Sequence, residues 1–312
     1  MRIYARQDVA ELSPYRDIIE ALRQAFRADV TAPARHHHTI TRPGTDPLIY
    51  LIMPAWTGMG KAGKGGYAGL KTVMVGGSPT VQANYMLYAG DTAETLAIMD
   101  GTEITARRTA CASALAADYL ARPDATKLLM VGAGVLGPHV VRAHATVRKI
   151  REVAVYNRSR AKAETLVAEL AADGFKASVV DDLPKAAHAA DIISCATTST
   201  SPIIHGAWLK PGTHLDLMGA FRPTMREVDG EAVKRARVFI DTPEALVEGG
   251  DLIQAVNEGL FDMDLIAGRL SHLCKGEVVG RQSAQEITLF KSCGTALEDL
   301  ATAIMIYEKS TS

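Results

Sequence analysis

The sequence predicts an α/β protein in which a doubly wound parallel sheet is inserted into a separate α+β domain. Three observations carry that expectation. From Leu128 onward, short apolar runs alternate with helical stretches, the pattern of a parallel sheet with helices on both faces. A Gly-x-Gly-x-x-Gly run, Gly132-Ala133-Gly134-Val135-Leu136-Gly137, follows the first apolar run directly. Before residue 100 the chain reads instead as one helix followed by several strands.

The N-terminal elements come first. Residues 16–29 place Ile18, Ile19, Leu22, Ala25 and Phe26 at helical spacing and predict an amphipathic helix. Residues 31–47, rich in Pro, His, Thr and Gly, read as loop or irregular strand. Residues 49–56 are an apolar run expected to be a strand ended by Pro54, and residues 67–75 a second strand. Gly-Gly-Ser-Pro-Thr at 76–80 is turn material. Two strands joined at Gly90-Asp91 then predict a hairpin. Residues 103–121 are Ala-rich and lack Gly and Pro, so they predict a long helix, broken by Arg122-Pro123-Asp124.

A domain boundary is expected at that break. Residues 123–290 would form the parallel-sheet domain, with 1–122 and 291–312 forming the other. Within the sheet domain, strands are expected at 128–134, 152–157, 177–182, 191–197, 214–220 and 238–242. Helices are expected at 135–147, 160–173 and 183–190. Residues 294–309 predict an amphipathic helix that packs back onto the first domain.

Composition excludes several classes of function. The 312 residues carry a net charge of -1 and 47% hydrophobic content, which is globular and offers no basic stripe for nucleic acid. No run approaches the roughly 18 apolar residues of a membrane helix, and the first dozen residues lack a signal-peptide core. Cys111, Cys195, Cys274 and Cys293 are far apart, with no CxxC pair. They read as reduced thiols of a cytoplasmic protein.

The glycine run has the right context for a dinucleotide. Gly132 would permit the tight turn, Gly134 the close approach of a pyrophosphate, and Gly137 the packing of helix on strand. The pyrophosphate would lie on the N–H groups that open the helix at Val135 and Leu136. An NAD enzyme of this Rossmann type carries Asp or Glu roughly 20 residues on, bonded to the ribose. Here the stretch is Asn157-Arg158-Ser159-Arg160. Arg158 and Arg160 would attract the 2′-phosphate of NADP(H); the alternative is that they face solvent at a helix start, where positive charge opposes the helix dipole.

Three cations in the first domain sit in uncharged surroundings: Arg35, Lys71 and Arg108. Each is either a surface or ion-paired cation or part of a site for an anion such as a carboxylate. His36, His37 and His38 do not suit a metal, because consecutive side chains point apart. No metal is expected.

Together these features resemble the ornithine cyclodeaminase/mu-crystallin family over nearly the whole chain. The resemblance is carried by Arg35, Met53-Pro54-Ala55-Trp56, Gly69-Leu70-Lys71, Arg108-Thr109-Ala110, Ser113-Ala114-Leu115-Ala116, the glycine turn, Asn157-Arg158-Ser159 and Gly294-Thr295-Ala296-Leu297-Glu298-Asp299. It implies a homodimer whose substrate and dimerisation domain receives the Rossmann insertion. It implies that Arg35, Lys71 and Arg108 bind a substrate carboxylate. It also implies that Thr109, Thr197 and Met218-Gly219-Ala220 lie beside the cofactor.

Similar cyclodeaminases carry a catalytic Asp where this chain has Phe221 in Gly219-Ala220-Phe221-Arg222-Pro223-Thr224. A phenyl ring accepts no proton. Related reductases show Ser-Phe-x-Pro-Asp-Met-Arg-Glu; this chain matches at Phe221, Pro223, Met225, Arg226 and Glu227 but has Thr224 in place of the Asp. The expected activity is NADPH-dependent reduction of a cyclic imino acid, 1-pyrroline-2-carboxylate or 1-piperideine-2-carboxylate. Arg35 and Arg108 would clamp the carboxylate, with Lys71 and Arg108 as the catalytic pair. The alternatives are a cyclodeaminase, an open-chain amino acid or opine dehydrogenase, and a non-catalytic NADPH-binding protein.

Overall fold

The computed structural model describes residues 1–58, 65–76 and 81–311. The expected turn at 76–80 lies, beyond Gly76, outside the described residues. The chain divides into two compact units, Met1–Arg108 with Thr295–Ser312, and Thr109–Gly294. This division falls within the long helix, between Arg108 and Thr109, whereas the expected break at 122/123 lies just past the end of that helix at Leu120.

The first unit opens with β1 (Arg2–Tyr4), α1 (Arg6–Leu12) and α2 (Tyr15–Arg27). The strands β2 (Val30–Thr31), β3 (His36–Arg42), β4 (Thr45–Thr57), β5 (Tyr67–Val75), β6 (Val81–Ala89) and β7 (Thr95–Asp100) follow. Their sheet runs β1-β7-β6-β5-β4-β2, with β3 also paired to β4; β1 is parallel to β7 and the other pairs are antiparallel. The expected hairpin at Gly90-Asp91 joins β6 to β7. The histidine-rich stretch is the irregular strand of the two readings: His36, His37 and His38 lie opposite Ile52, Leu51 and Tyr50, and the register shifts between Ile40 and Arg42. One expectation is corrected. Pro54 does not end β4: it falls between Ile52, the first residue paired to β3, and Trp56, paired to β2, where the ladder on that side is interrupted. β1 and α1 were not foreseen.

Alternation along these strands sends Met53, Lys71, Tyr85 and Met99 to one face, in register across β4, β5, β6 and β7. All four are buried. The last helix, α11 (Ala296–Thr311), packs on that face against β4, β5 and β6 and beside α2, as its amphipathic pattern requires.

The helix α3 (Gly101–Leu120) leads into the second unit. There β8 (Lys127–Val131), α4 (Leu136–Val147), β9 (Glu152–Tyr156), α5 (Arg160–Ala172), β10 (Lys176–Val179), α6 (Leu183–Ala189), β11 (Ile192–Cys195) and β12 (His214–Leu217) alternate as predicted. Beyond them lie α7 (Gly230–Arg235), β13 (Arg237–Ile240), α8 (Ala245–Glu248), α9 (Gly250–Asn257), β14 (Gly268–Arg269), α10 (Leu270–Lys275) and β15 (Thr288–Lys291). The sheet is wholly parallel, in the order β10-β9-β8-β11-β12-β15-β13-β14. Its first five strands follow the 3-2-1-4-5 part of the Rossmann order, which reverses between β8 and β11; the sixth place is taken by β15, the last strand of the chain. The sequence reading missed β15, which lies between β12 and β13.

Candidate functional site

In the first unit, Lys71 projects from the middle of β5 and is 1% exposed. Its Nζ lies 2.6 Å from Asp299 Oδ2 and donates to Thr105 Oγ1 at 3.3 Å. Arg108, two turns into α3 and also buried, donates through Nε to Asp299 Oδ1 at 2.9 Å and through Nη1 to Glu298 Oε2 at 2.5 Å. Glu298 and Asp299 come from the first turn of α11, where carboxylates suit the helix dipole, and both are fully buried. Lys71 and Arg108 are therefore brought together, by acids the sequence reading had given no role.

Burial first, then the positive charge of Arg108 and, more weakly, of Arg35, lower the Lys71 ammonium to about 8 against the opposing pull of Asp299. Arg35, half-buried between β2 and β3, thus acts on Lys71 electrostatically. Burial opposes the charge of Arg108 as well, but Asp299 and Glu298 outweigh it and hold the guanidinium charged.

In the second unit, Gly132 ends β8 with φ +109, and its N–H donates to Tyr156 O at 2.8 Å. A Cβ there would lie 2.6 Å from Ala196 O. At Gly134 a Cβ would meet nothing within 4 Å, so the turn leaves exposed space at the carboxyl end of β8, beside the reversal of strand order. Val135 is 65% exposed and Leu136 is the first residue of α4. These residues fit a pyrophosphate. Gly137 packs against Leu166 of α5 and Gly132 O, so the close approach it allows includes the next helix as well as the turn.

Asn157 turns inward: its Oδ1 accepts from Ala133 N at 3.1 Å and its Nδ2 donates to Ser159 O at 2.9 Å. It braces the glycine turn from the end of β9. Arg158 is exposed and makes no ion pair among the described residues. Arg160 is held by Asp181, at 2.7 Å from Oδ2, and by Glu164 at 3.0 Å. The two arginines read alike in sequence, but only one is left uncommitted.

Across the reversal point, Glu227 joins the ends of β11 and β12. Its Oε1 accepts from Thr197 N at 2.7 Å and Thr197 Oγ1 at 2.9 Å, and its Oε2 from Gly219 N at 2.7 Å and Ala220 N at 3.2 Å. Gly219 has no room for a side chain, because a Cβ would collide with Thr197 O and Glu227 Oε1. Burial and then the charge of Asp251 raise the Glu227 carboxyl to about 7, against the opposing pull of Lys291. Met218 is buried beside this join and donates from N to Cys195 O at 3.1 Å. Thr109, half-buried on α3, begins the same unit.

The ornithine cyclodeaminase/mu-crystallin family model matches residues 2–312. The chain belongs to this family. Among its relatives, the delta(1)-pyrroline-2-carboxylate reductase of Paracoccus denitrificans is 38% identical over 302 residues, covering 94% of this chain and 92% of its own. That of Colwellia psychrerythraea is 34% identical over 315 residues, covering 99% of each. The delta(1)-pyrroline-2-carboxylate reductase of Thermococcus litoralis, solved in complex with NADH and L-proline, aligns at a TM-score of 0.92 with 31% identity, covering 100% of this chain and 98% of its own.

The segment Gly219–Thr224, expected from the sequence to distinguish a reductase from a cyclodeaminase, follows β12 in the second unit. Phe221 packs against the apolar core of the second unit, and Arg222 stacks over its ring at 5.7 Å. His36, His37 and His38 are exposed on β3, and no group of three or more metal-ligating side chains occurs among the described residues.

Sequence reasoning missed Glu298, Asp299 and Glu227 as site residues. The first two had a signal, since they are adjacent acids in an otherwise apolar helical run. Glu227 had none beyond its place in a motif: only the fold brings it beneath Thr197 and Gly219.

Proposed function

We propose that the protein uses NADP(H) to reduce a small cyclic imino acid, 1-pyrroline-2-carboxylate or 1-piperideine-2-carboxylate, to L-proline or L-pipecolate. The observation that carries this reading is Lys71: a buried ammonium lowered to about 8, flanked by arginine charge, suits both an anionic substrate and proton donation near neutral pH. Bound reduced nicotinamide supplies the hydride. Arg35 and Arg108 orient the substrate carboxylate, and Lys71 protonates the ring nitrogen. Asp299 and Glu298 already occupy two donor positions of Arg108, so Arg35 carries more of the carboxylate's charge than the sequence suggested.

The relatives' reductase names and the L-proline in the Thermococcus litoralis complex support the substrate class. Phe221 speaks against ammonia release, because it leaves no proton acceptor where cyclodeaminases have one. NADP preference rests on the end of β9, where Asn157 faces the glycine turn and Arg158 remains for a 2′-phosphate; Arg160 is withdrawn from that role by its acidic partners.

A homodimer is supported by the outer face of the antiparallel sheet, where Ile52, Leu70, Met74, Met86 and Ile98 are half-exposed. A reducing compartment is supported by four buried cysteines, none in a disulfide. Among the described residues, no helix is long and apolar enough to cross a membrane.

The test follows NADPH absorbance with each imino acid, with pyruvate plus amines, and with ornithine. Turnover is expected with at least one imino acid, and Lys71→Met should lower kcat about a hundredfold or more. Ammonia release from ornithine without imine reduction would replace this reading with a cyclodeaminase. NADPH binding without turnover across the panel would replace it with a binding protein.

A further inference from the structure

Asp299 lies between the two cations that the proposed reaction uses. One of its oxygens is 2.6 Å from Lys71 Nζ and the other accepts from Arg108 Nε at 2.9 Å. All three side chains are buried, on three different elements: β5, α3 and α11. A buried ion cluster of this kind costs desolvation energy that an apolar replacement would avoid, so stability is a poor account of it.

We infer that Asp299 is a positioning residue. This single carboxylate, brought in by the last helix, fixes Lys71 and Arg108 relative to one another and keeps Lys71 charged until a substrate nitrogen takes its proton. The inference rests on the imine-reductase reading for the identity of the proton acceptor, but not for the geometry.

The surroundings of Lys71 show why an acid is needed. Arg108 approaches from α3, and Arg35 from the segment between β2 and β3; both repel the ammonium. Thr105 Oγ1, also on α3, donates its own proton to Gly101 O at 2.7 Å, so toward Lys71 it can only accept. Tyr85, opposite Lys71 on β6, is pushed well above the usual phenol range by burial and by Asp299, and stays neutral. Glu298 is bonded to Arg108 Nη1, which leaves Asp299 Oδ2 for Lys71. Without Asp299, burial and two guanidinium charges would act on Lys71 with no carboxylate bonded to it.

In the step itself, a Lys71 N–H bond breaks and its proton forms the N–H bond of the ring nitrogen as hydride reaches the adjacent carbon. With bound reduced nicotinamide as the two-electron donor, the imine would be reduced to the amine, and Lys71 would be left as a neutral amine that regains a proton from solvent.

The decisive variant is Asp299→Asn, which keeps shape and removes charge. Two readouts are compared in the full-length protein: the basic limb of the kcat/KM pH profile, and the NMR titration of Lys71 Nζ in 13C,15N-lysine-labelled protein, assigned by its loss in Lys71→Arg. Both midpoints should move to lower pH by about one to three units. Asp299→Glu should restore part of the shift. Glu298→Gln, which removes equal charge without touching Lys71, should leave the Lys71 midpoint in place. An unmoved midpoint in folded Asp299→Asn overturns the inference, as does an equal shift in Glu298→Gln. Should Asp299→Asn not fold, Asp299→Glu carries the test: its displaced charge should lower kcat with NADPH affinity retained, and wild-type kcat would overturn the role. A shifted Lys71 titration without imino-acid turnover would leave the positioning role standing and remove the functional reading.

Discussion

The proposed NADP preference rests on individual residues at the end of β9. Asn157 is spent on bracing the glycine turn, and Arg160 on Asp181 and Glu164. Arg158 is exposed beside them. If Arg158 holds the 2′-phosphate as proposed, replacing it with Gln would remove one charge-assisted contact while leaving the turn intact. The expected result is a KM for NADPH raised roughly 10- to 100-fold, with that for NADH unchanged. Steady-state kinetics with both cofactors check this; equal losses with both would withdraw Arg158 from phosphate recognition. The asymmetry between Arg158 and Arg160 was not legible in sequence. Asp181 lies beyond α5, and only the fold sets it against Arg160. Lys71 was legible as an oddity, a charge among apolar strand residues, but its partner was not.

At the scale of elements, α4 is tied to the sheet by a buried polar cluster. His144 Nε2 lies 3.2 Å from Asp216 Oδ2 on β12 and 3.3 Å from Ser194 Oγ on β11, and Ser194 donates to Asp216. Burial, then the charge of Arg148, lowers His144 from 6.5 to about 3. Over that window the unfolded chain takes up a proton that the folded protein refuses. Stability from His144 is therefore lost as pH falls below about 6.5, at about 1.4 kcal/mol per pH unit. Asp216, raised to about 6 mainly by burial, runs the other way: its folded form holds a proton more readily than the unfolded chain. The variant His144→Gln should remove the histidine's contribution, so that unfolding free energy measured in denaturant between pH 6 and 4 declines less steeply than in the wild type by about that slope. An identical slope would show that His144 is protonated in the folded protein. The elements themselves were mostly legible, because the period of apolar residues sets helix or strand locally. The exceptions were decided by pairing. β4 continues through Pro54 because its partner changes there, and β15 owes its place to β12 and β13 on either side rather than to a pattern of its own.

For the whole molecule, the sheet of the first unit buries one face beneath α11 and leaves half-exposed apolar side chains, Met86 among them, on the other. If a second copy covers that face, Met86→Asp places a charge in the middle of it. Analytical ultracentrifugation should then find a dimer for the wild type and a monomer for the variant, with the far-UV spectrum retained. A wild-type monomer at micromolar concentration would end the dimer proposal.

Local pattern was enough for the alternation of strands and helices, the glycine turn after β8, the strangeness of Lys71 and Arg108, and membership of the family. These are local or ordered along the chain, and period, glycine placement and motif order can be read there. Tertiary structure decided what the charges are bonded to. Asp299 reaches Lys71 and Arg108 only because the last helix returns to the first unit, and Glu227 reaches Thr197 and Gly219 only because the parallel sheet sets the ends of β11 and β12 side by side. A buried charge needs a partner, but the chain does not announce which distant acid will supply it.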